Sequence, residues 1–197
     1  MKHTDDLLDA AEKVLIEKGF EAATIDEICH LAQSSRPTFY KRFKDKNGLF
    51  AAYVRSKSRE LSDALEKMAA EITDKETFFR LTEQYLAHMY KEDVINFHCL
   101  VAGEARHNEE IKQFFREHLV FRHLQVRQRV ITQLIIAGLV PPTRNIPGLA
   151  KLLGSLITAD SYYLIVAGGQ DPLTGAELTA YVKERCELFL KIAQDFS

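Results

Sequence analysis

The residues best suited to chemistry form a basic cluster between positions 36 and 59. Eight lysines and arginines stand there against Asp45 alone, a local charge of +7 in a chain whose net charge is −2. A cluster of this size is suited to binding a polyanion, although most runs of charge are simply solvated helix faces. Charge alone therefore leaves nucleic-acid binding and an ordinary surface equally open.

The order of residues within the cluster favours nucleic acid. Phe39 and Phe43 are four residues apart, so they share one face of a short helix that Ser35 can cap. A helix of this kind fits the major groove of DNA, which is about 12 Å wide. The opposite, exposed face then carries hydroxyl and cationic groups, on Arg36, Pro37, Thr38, Tyr40 and Lys41.

The elements around this helix are also predicted to be helical. Residues 4–18 have apolar positions at helical spacing and end at Gly19, and Thr24 with Glu27 forms a capping box that begins the second helix. The sequence has no alternating strand pattern and no internal repeat. The predicted fold is all-α, with about nine helices. Beyond the first three, they are expected at about 46–70, 73–89, 97–105, 108–135, 147–167 and 174–196.

Several function classes are disfavoured by the rest of the sequence. The longest uncharged run, residues 130–143, is too short to span a bilayer and is broken by glycine and proline. The first residues lack the apolar core of a signal peptide. The histidines and cysteines lack metal-ligand spacing, and no motif for nucleophilic catalysis occurs. We therefore expect a cytoplasmic protein that is not an enzyme, binds no metal or cofactor, and does not associate with membranes.

Residues 24–50 resemble the DNA-binding domain of the TetR family of transcriptional regulators. The matching strings are residues 24–28 (TIDEI) and 35–50 (SRPTFYKRFKDKNGLF), and the length and helix count also match the family. Gln33 departs from the glycine usual in the turn, and a left-handed backbone there would cost about 1 kcal/mol relative to glycine. The resemblance implies an N-terminal three-helix helix-turn-helix domain at residues 1–47. It also implies a C-terminal helical domain for ligand binding and dimerisation at 48–197, joined by a long helix at about 46–70.

The resemblance also implies roles for single residues. Thr24, Tyr40 and Lys46 would contact phosphate, which fixes the register of the protein on DNA. The alternative for Tyr40 is a partly buried aromatic in the small core. Base edges would be contacted by Arg36, Pro37, Thr38 and Lys41, with Arg36 suited to guanine and Pro37 to a thymine methyl. Ser35 completes the predicted DNA-binding set.

Apolar stripes on the last two helices predict a homodimer. Each stripe would pair with its symmetry mate in a four-helix interface, as the resemblance implies. A two-fold dimer would then place two recognition helices in successive major grooves of a pseudo-palindromic operator. The alternative is that both stripes serve only the protomer core. The predicted interface residues are Leu153, Leu156, Tyr181, Arg185, Leu188 and Phe189.

A small apolar or aromatic effector is expected in the C-terminal domain, where its binding would release the operator. An ordinary core or surface position is the stronger interpretation for most single candidates, and Arg127 and Arg129 could neutralise an acidic ligand or form solvated ion pairs. Residues 100–106, followed by two phenylalanines, resemble the ligand domain of the AefR-like subgroup. The candidate contacts are Phe97, His98, Glu104, Phe115, Phe121, Asp160 and Tyr163.

Two other classes remain as alternatives to a repressor of the TetR type. An α-helical enzyme would need a catalytic motif, which the sequence lacks. A helical interaction protein that uses the basic cluster on membranes or protein partners would need exposed apolar residues beside the charges. Because Phe39 and Phe43 are predicted to point inward, the regulator is the favoured interpretation.

Overall fold

The computed structural model describes residues 2–196, apart from the side chains of residues 2–5, 61, 64, 65, 68, 119, 159 and 160. Over that range the chain forms helices and no strand, which confirms the all-α prediction. The elements are α1 (Lys2–Ala22), α2 (Ile25–Leu31), α3 (Arg36–Phe43), α4 (Lys46–Ala70), α5 (Lys75–Met89), α6 (Glu92–Ala105), α7 (Glu109–Phe114), a π-helical segment (Phe115–Phe121), α8 (Arg122–Ile136), α9 (Ile146–Val166) and α10 (Gly175–Ala193).

The chain forms two compact units, and α4 contributes to both. Unit 1 comprises Met1–Glu60 and Asn96–Val120, and unit 2 comprises Leu61–Ile95 and Phe121–Ser197. Unit 1 therefore contains a stretch of residues that the sequence analysis assigned to the C-terminal domain. The division of the sequence at residue 47 stays a prediction. In the part of the chain that is described, no helix is both long and apolar enough to cross a membrane.

Local hydrogen bonds set the beginnings of α2 and α3, as predicted. The Thr24 hydroxyl accepts a hydrogen bond from the Glu27 amide (3.3 Å), and the Glu27 carboxylate accepts one from the Thr24 amide (3.3 Å). Ser35 Oγ accepts one from the amide of Thr38 (3.3 Å). Between the two helices Gln33 has φ +48°, the left-handed conformation expected of that turn residue.

The turn between α3 and α4 depends on a glycine. Lys44 adopts φ +67° after α3, and Asp45 Oδ1 then accepts a hydrogen bond from the Gly48 amide (2.7 Å), which caps α4. A Cβ atom at Gly48 would lie 1.9 Å from the Phe43 carbonyl oxygen. Since no side chain can be accommodated at that distance, the close approach of α3 to α4 requires glycine at this position.

Aromatic residues form the core of unit 1. Phe39 is fully buried, as predicted, and its ring lies 5.5 Å from that of Phe43. On α4, the Tyr53 ring contacts the ring of Phe97 from α6 edge-on at 5.5 Å. Phe97 is 1% exposed and is a core residue of unit 1. Its role as an effector contact stays a prediction.

Two further helix predictions were wrong in detail. In place of the single helix expected at residues 108–135, the structure has α7, the π-helical segment and α8. The described residues therefore contain ten α-helices, compared with the nine or so expected. The helix expected from residue 73 begins later, because Asp74 is its N-cap and accepts a hydrogen bond from the Thr77 amide (2.8 Å). A carboxylate accepts this bond at least as well as a hydroxyl does, and it also interacts favourably with the helix dipole.

The predicted interface residues divide between the interior and the surface of unit 2. Leu153 is 2% exposed and Phe189 is fully buried, so neither side chain has area to give to a partner, and the prediction is corrected for both. Tyr181 is half-buried, and its hydroxyl donates to the Ile157 carbonyl (3.3 Å). Its ring stacks under Arg185 at 5.1 Å. Leu156 is half-buried and Leu188 is exposed.

Candidate functional site

Helix α3 presents one buried and one exposed face, as the sequence predicts. Phe39 and Phe43 point into unit 1, whereas Tyr40 is 50% exposed and Lys41 beside it is also exposed. Arg36, Pro37 and Ser35 are also exposed at the start of the helix, and Thr38 is half-buried. The exposed face therefore carries two cations, a phenol and small hydroxyls. This composition suits contact with phosphates and base edges.

Arg36 forms a two-pronged ion pair with Asp26 of α2. Its Nε and Nη2 atoms donate to the two carboxylate oxygens of Asp26, and these hydrogen bonds hold the pKa of Asp26 below its usual value. Both side chains are largely exposed, so the pair adds little to stability. Its effect is to fix the direction of the guanidinium, which must leave or share Asp26 in order to contact guanine.

Thr24 is also engaged within unit 1. Its hydroxyl donates to the Glu27 carboxylate (2.9 Å), and that carboxylate pairs in turn with Lys18. The hydrogen bond from Lys18 is the main reason that the pKa of Glu27 is lowered. A phosphate contact at Thr24 would therefore have to compete with an existing acceptor.

Lys46 has a structural role that sequence analysis missed. Its ammonium group donates to the carbonyl oxygens of Phe20 (2.7 Å), Glu21 (3.1 Å) and Ala23 (3.1 Å) at the end of α1. It also lies 4.6 Å from the centre of the Phe20 ring. Because an ammonium has three hydrogens to donate, a phosphate contact requires at least one of these bonds to be given up.

The Lys46→Met variant is expected to lower the free energy of unfolding by about 1–2 kcal/mol, because it leaves three carbonyl acceptors without their charged donor. Chemical denaturation followed by circular dichroism measures this change. Lys44→Met, which removes a nearby exposed lysine, is the control and should stay within about 0.5 kcal/mol of the parent. Parent-like stability of Lys46→Met would contradict the structural role.

Unit 2 contains a cavity of about 50 Å³. Its polar side chains are Thr82 and Tyr85 from α5 and His123 and Arg127 from α8. The Thr82 hydroxyl is satisfied by the Phe78 carbonyl (2.8 Å). Burial raises the pKa of the Tyr85 phenol, and the nearby Arg127 guanidinium partly opposes that rise. The apolar walls are Ala69, Ile72, Phe78, Leu81, Val126, Val130, Leu153 and Ile157.

The predicted effector contacts do not form this cavity. His98, Glu104 and Phe115 belong to unit 1 with Phe97, whereas the cavity lies in unit 2. In unit 2, Phe121 is 51% and Tyr163 is 75% exposed, so both lie on the surface. The side chain of Asp160 lies outside the described residues. Arg127 was the one cavity residue whose possible contact with an acidic ligand the sequence analysis considered.

A metal centre is not evident in the described part of the chain. No group of three or more His, Cys, Asp or Glu side chains there is arranged to hold an ion. Cys29, Cys99 and Cys186 are not in disulfide bonds, and burial raises the pKa of Cys186 to about 12. A thiol with so high a pKa stays protonated at neutral pH, so Cys186 is not suited to act as a nucleophile or ligand.

Comparison with known proteins gives two family matches. The model for bacterial regulatory proteins of the TetR family matches residues 7–53. The model for the C-terminal domain of AefR-like transcriptional repressors matches residues 76–192. Together these matches include the helix-turn-helix helices and most of α5 to α10.

Curated relatives and solved structures agree with these matches. The HTH-type transcriptional regulator YvkB of Bacillus subtilis is 27% identical over 135 residues, which are 66% of this chain and 62% of YvkB. QacR of Staphylococcus aureus is 24% identical over 129 residues, 63% of this chain and 69% of QacR. A TetR-family regulator from Mesorhizobium loti has a TM-score of 0.88 at 22% identity, with 97% of this chain and 96% of that chain covered. The flavonoid-responsive regulator FrrA has a TM-score of 0.79 at 23% identity, with 100% and 99% covered.

The similarity to solved structures establishes the fold, whereas the matches to family models rest on the sequence. The exposed cationic face of α3 lies within the first match, and the cavity residues from α5 to α9 lie within the second. The chain belongs to the TetR family of bacterial transcriptional regulators, with a C-terminal domain of the AefR-like type.

Proposed function

We propose that the protein is a repressor that binds a pseudo-palindromic operator as a homodimer in the cytoplasm and is released by a small-molecule effector. The observation that carries the DNA-binding part is the exposed face of α3. Tyr40 and Lys41 project there while Phe39 and Phe43 anchor the helix in unit 1. The proposal assigns no catalysis to the chain.

The proposed DNA contacts keep the predicted residues. Tyr40 and Lys46 would bind phosphate, with Lys46 exchanging one carbonyl for a phosphate oxygen. Thr24 would approach phosphate at the beginning of α2, where helix amides favour an anion. Base readout would fall to the first turns of α3, through Ser35, Arg36, Pro37, Thr38 and Lys41.

Exposed apolar side chains in unit 2 support dimerisation. Tyr163 (75% exposed) and Leu164 (47%) lie on α9, and Leu188 (38%) lies on α10. A partner packed on these two helices would remove these apolar groups from water, which favours association. A single short recognition helix also contacts few base pairs, so specific binding needs two of them. Leu156, Tyr181 and Arg185, which are half-buried in the protomer, remain candidates at the edge of that interface.

The cavity of unit 2 supports control by an effector. Two structurally similar proteins are associated with ligands. FrrA is described as flavonoid-responsive, and FadR of Bacillus subtilis was solved in complex with stearoyl-CoA. Release requires the effector to bind the conformation that does not bind DNA more tightly, and a coupling of about 1–3 kcal/mol is sufficient.

The test is fluorescence anisotropy on DNA selected from random sequence, compared with scrambled DNA across a range of salt concentrations. We expect specific binding with a steep salt dependence. Lys41→Ala should lower the affinity about tenfold and reduce the salt slope by about one per protomer. Tyr40→Phe should weaken binding to all sequences, because it removes a hydroxyl suited to phosphate.

Lys91→Ala is the matched control, since it removes an exposed lysine from unit 2. It should leave both the affinity and the salt slope unchanged. Failure to select any DNA, or salt-independent binding, would overturn the proposed function. Turnover of a bound compound would instead favour the enzyme alternative.

A further inference from the structure

The wall of the unit 2 cavity contains an arginine that pairs with none of the described carboxylates. This residue is Arg127, and no carboxylate of the described residues is within 4.0 Å of its guanidinium. Its Nε atom is buried and makes no hydrogen bond. An arginine remains protonated in a protein, so the positive charge is present beside the cavity.

The neighbouring arginines of α8 differ from Arg127 in this respect. Arg122 Nη2 lies 3.0 Å from Glu66 Oε1, and Arg129 Nη1 lies 2.7 Å from Glu66 Oε2. These two residues are seven apart and so share one face of the helix, whereas Arg127 projects from a different face toward the cavity. Glu66, together with Asp63 beside Arg122, therefore pairs with the arginines at 122 and 129, whereas none of the described carboxylates pairs with Arg127.

Two neighbours flank the guanidinium. One is the buried phenol of Tyr85, whose raised pKa the nearby Arg127 charge partly offsets. On the other side, the group lies directly against α9 at Gly154, where a Cβ atom would be 2.9 Å from both Cζ and Nε. A neutral phenol and a glycine backbone position the charge without neutralising it. Arg127 is half-buried and its Nε atom is fully buried, and burial of part of a charge is costly unless an anion completes the site.

The remaining walls define the rest of the ligand. They are aliphatic or aromatic on α5, α8 and α9, which favours an apolar body. The planar guanidinium can donate two parallel hydrogen bonds to a carboxylate. A free volume of about 50 Å³ holds only a few water molecules, so a larger body must separate the walls. Binding would then favour a second conformation, as release of DNA requires.

We propose that the effector is an apolar monocarboxylate, aliphatic or aromatic, whose carboxylate binds Arg127 while its body occupies the apolar part of the cavity. This inference rests on the effector site of the proposed function and adds the chemical class of the ligand. It changes the earlier expectation of a merely apolar or aromatic effector by adding one negative charge.

The experiment compares matched probes on the full-length protein by isothermal titration calorimetry. Octanoate is compared with 1-octanol, and 4-ethylbenzoate with 4-ethylbenzyl alcohol. At least one carboxylate should bind about tenfold more tightly than its alcohol, the size of effect typical of a charge-assisted hydrogen bond. Arg127→Leu should abolish this preference while retaining affinity for the alcohol.

Two further variants keep the interpretation specific. Gly154→Ala should also reduce the preference, since the added methyl group displaces the guanidinium. Arg129→Leu, which removes the ion-paired arginine of the same helix, should leave the preference intact. Absence of any preference for the carboxylate, or a preference that survives in Arg127→Leu, would overturn the inference.

Operator binding is measured separately on the same variants, so that the two proposals can fail independently. Arg127→Leu should bind DNA like the parent, because Arg127 is remote in sequence from α3 and belongs to unit 2. Failure of the parent protein to bind DNA would overturn the proposed function but not the carboxylate preference. A carboxylate preference without release of DNA would mean that the bound carboxylate is not the effector, which would overturn the inference while DNA binding still stands.

Discussion

Phe39→Ala is expected to lower the free energy of unfolding by about 3–5 kcal/mol, the usual cost of removing a buried phenylalanine ring. Phe39 is fully buried and contacts both neighbouring aromatic rings of α3, each with a centroid distance of 5.5 Å. Its loss leaves a cavity beneath the recognition helix. Because α3 is only eight residues long, it cannot keep its helical conformation without this packing. DNA binding should therefore be lost together with stability.

Tyr40→Ala is the matched control for this prediction. Tyr40 is adjacent in sequence but 50% exposed, so its removal should lower the free energy of unfolding by no more than about 1 kcal/mol, most of it from the lost ring contact. Urea unfolding followed by circular dichroism at 222 nm separates the two variants. Equal destabilisation by both substitutions would contradict the assignment of buried and exposed faces on α3.

The helix-turn-helix was predictable because its determinants are local. Capping residues three positions apart, paired phenylalanines four apart and the aspartate before α4 act within one or two helical turns. The structure confirms the caps at Thr24 and Ser35 and the left-handed conformation of Gln33. The hydrogen bonds of Lys46 were not predicted, because they join it to residues at the end of α1 that are more than 20 positions away. No periodicity in the sequence records such a contact.

The effector site was less predictable for the same physical reason. The spacing of Phe97 is compatible with a pocket residue and with a core residue, and its contact with Tyr53 of α4 is not recorded in that spacing. Arg127 was considered with Arg129 as a residue that could bind an acidic ligand. Only Arg129 forms an ion pair with Glu66, which lies some 60 positions earlier in the chain. The signal available in the sequence was the register of α8, which places residues 122 and 129 on one face and residue 127 on another.

His98 is expected to make the stability of the protein depend on pH. Burial lowers the pKa of His98 to about 4, from an ordinary value of 6.5, because the charged imidazolium is poorly solvated in unit 1. Between these two values the unfolded chain binds more protons than the folded one. Stability is therefore complete above the unfolded pKa and falls as the pH falls from 6.5 toward 4. The total loss is up to about 3 kcal/mol, of which about 2 kcal/mol occurs between pH 7 and pH 5.

His98→Gln should remove this part of the pH dependence, since glutamine does not titrate. Carboxylates also lose stabilising contacts in acid, so the quantity to measure is the difference in free energy of unfolding between variant and parent at pH 7 and at pH 5. That difference should change by about 2 kcal/mol in favour of the variant at the lower pH. His107→Gln removes an exposed histidine just beyond α6 and is the control, which should follow the parent at both values. If His98→Gln also follows the parent, the imidazole is accessible enough to be protonated in the folded state, and burial of His98 is not what makes the fold sensitive to acid.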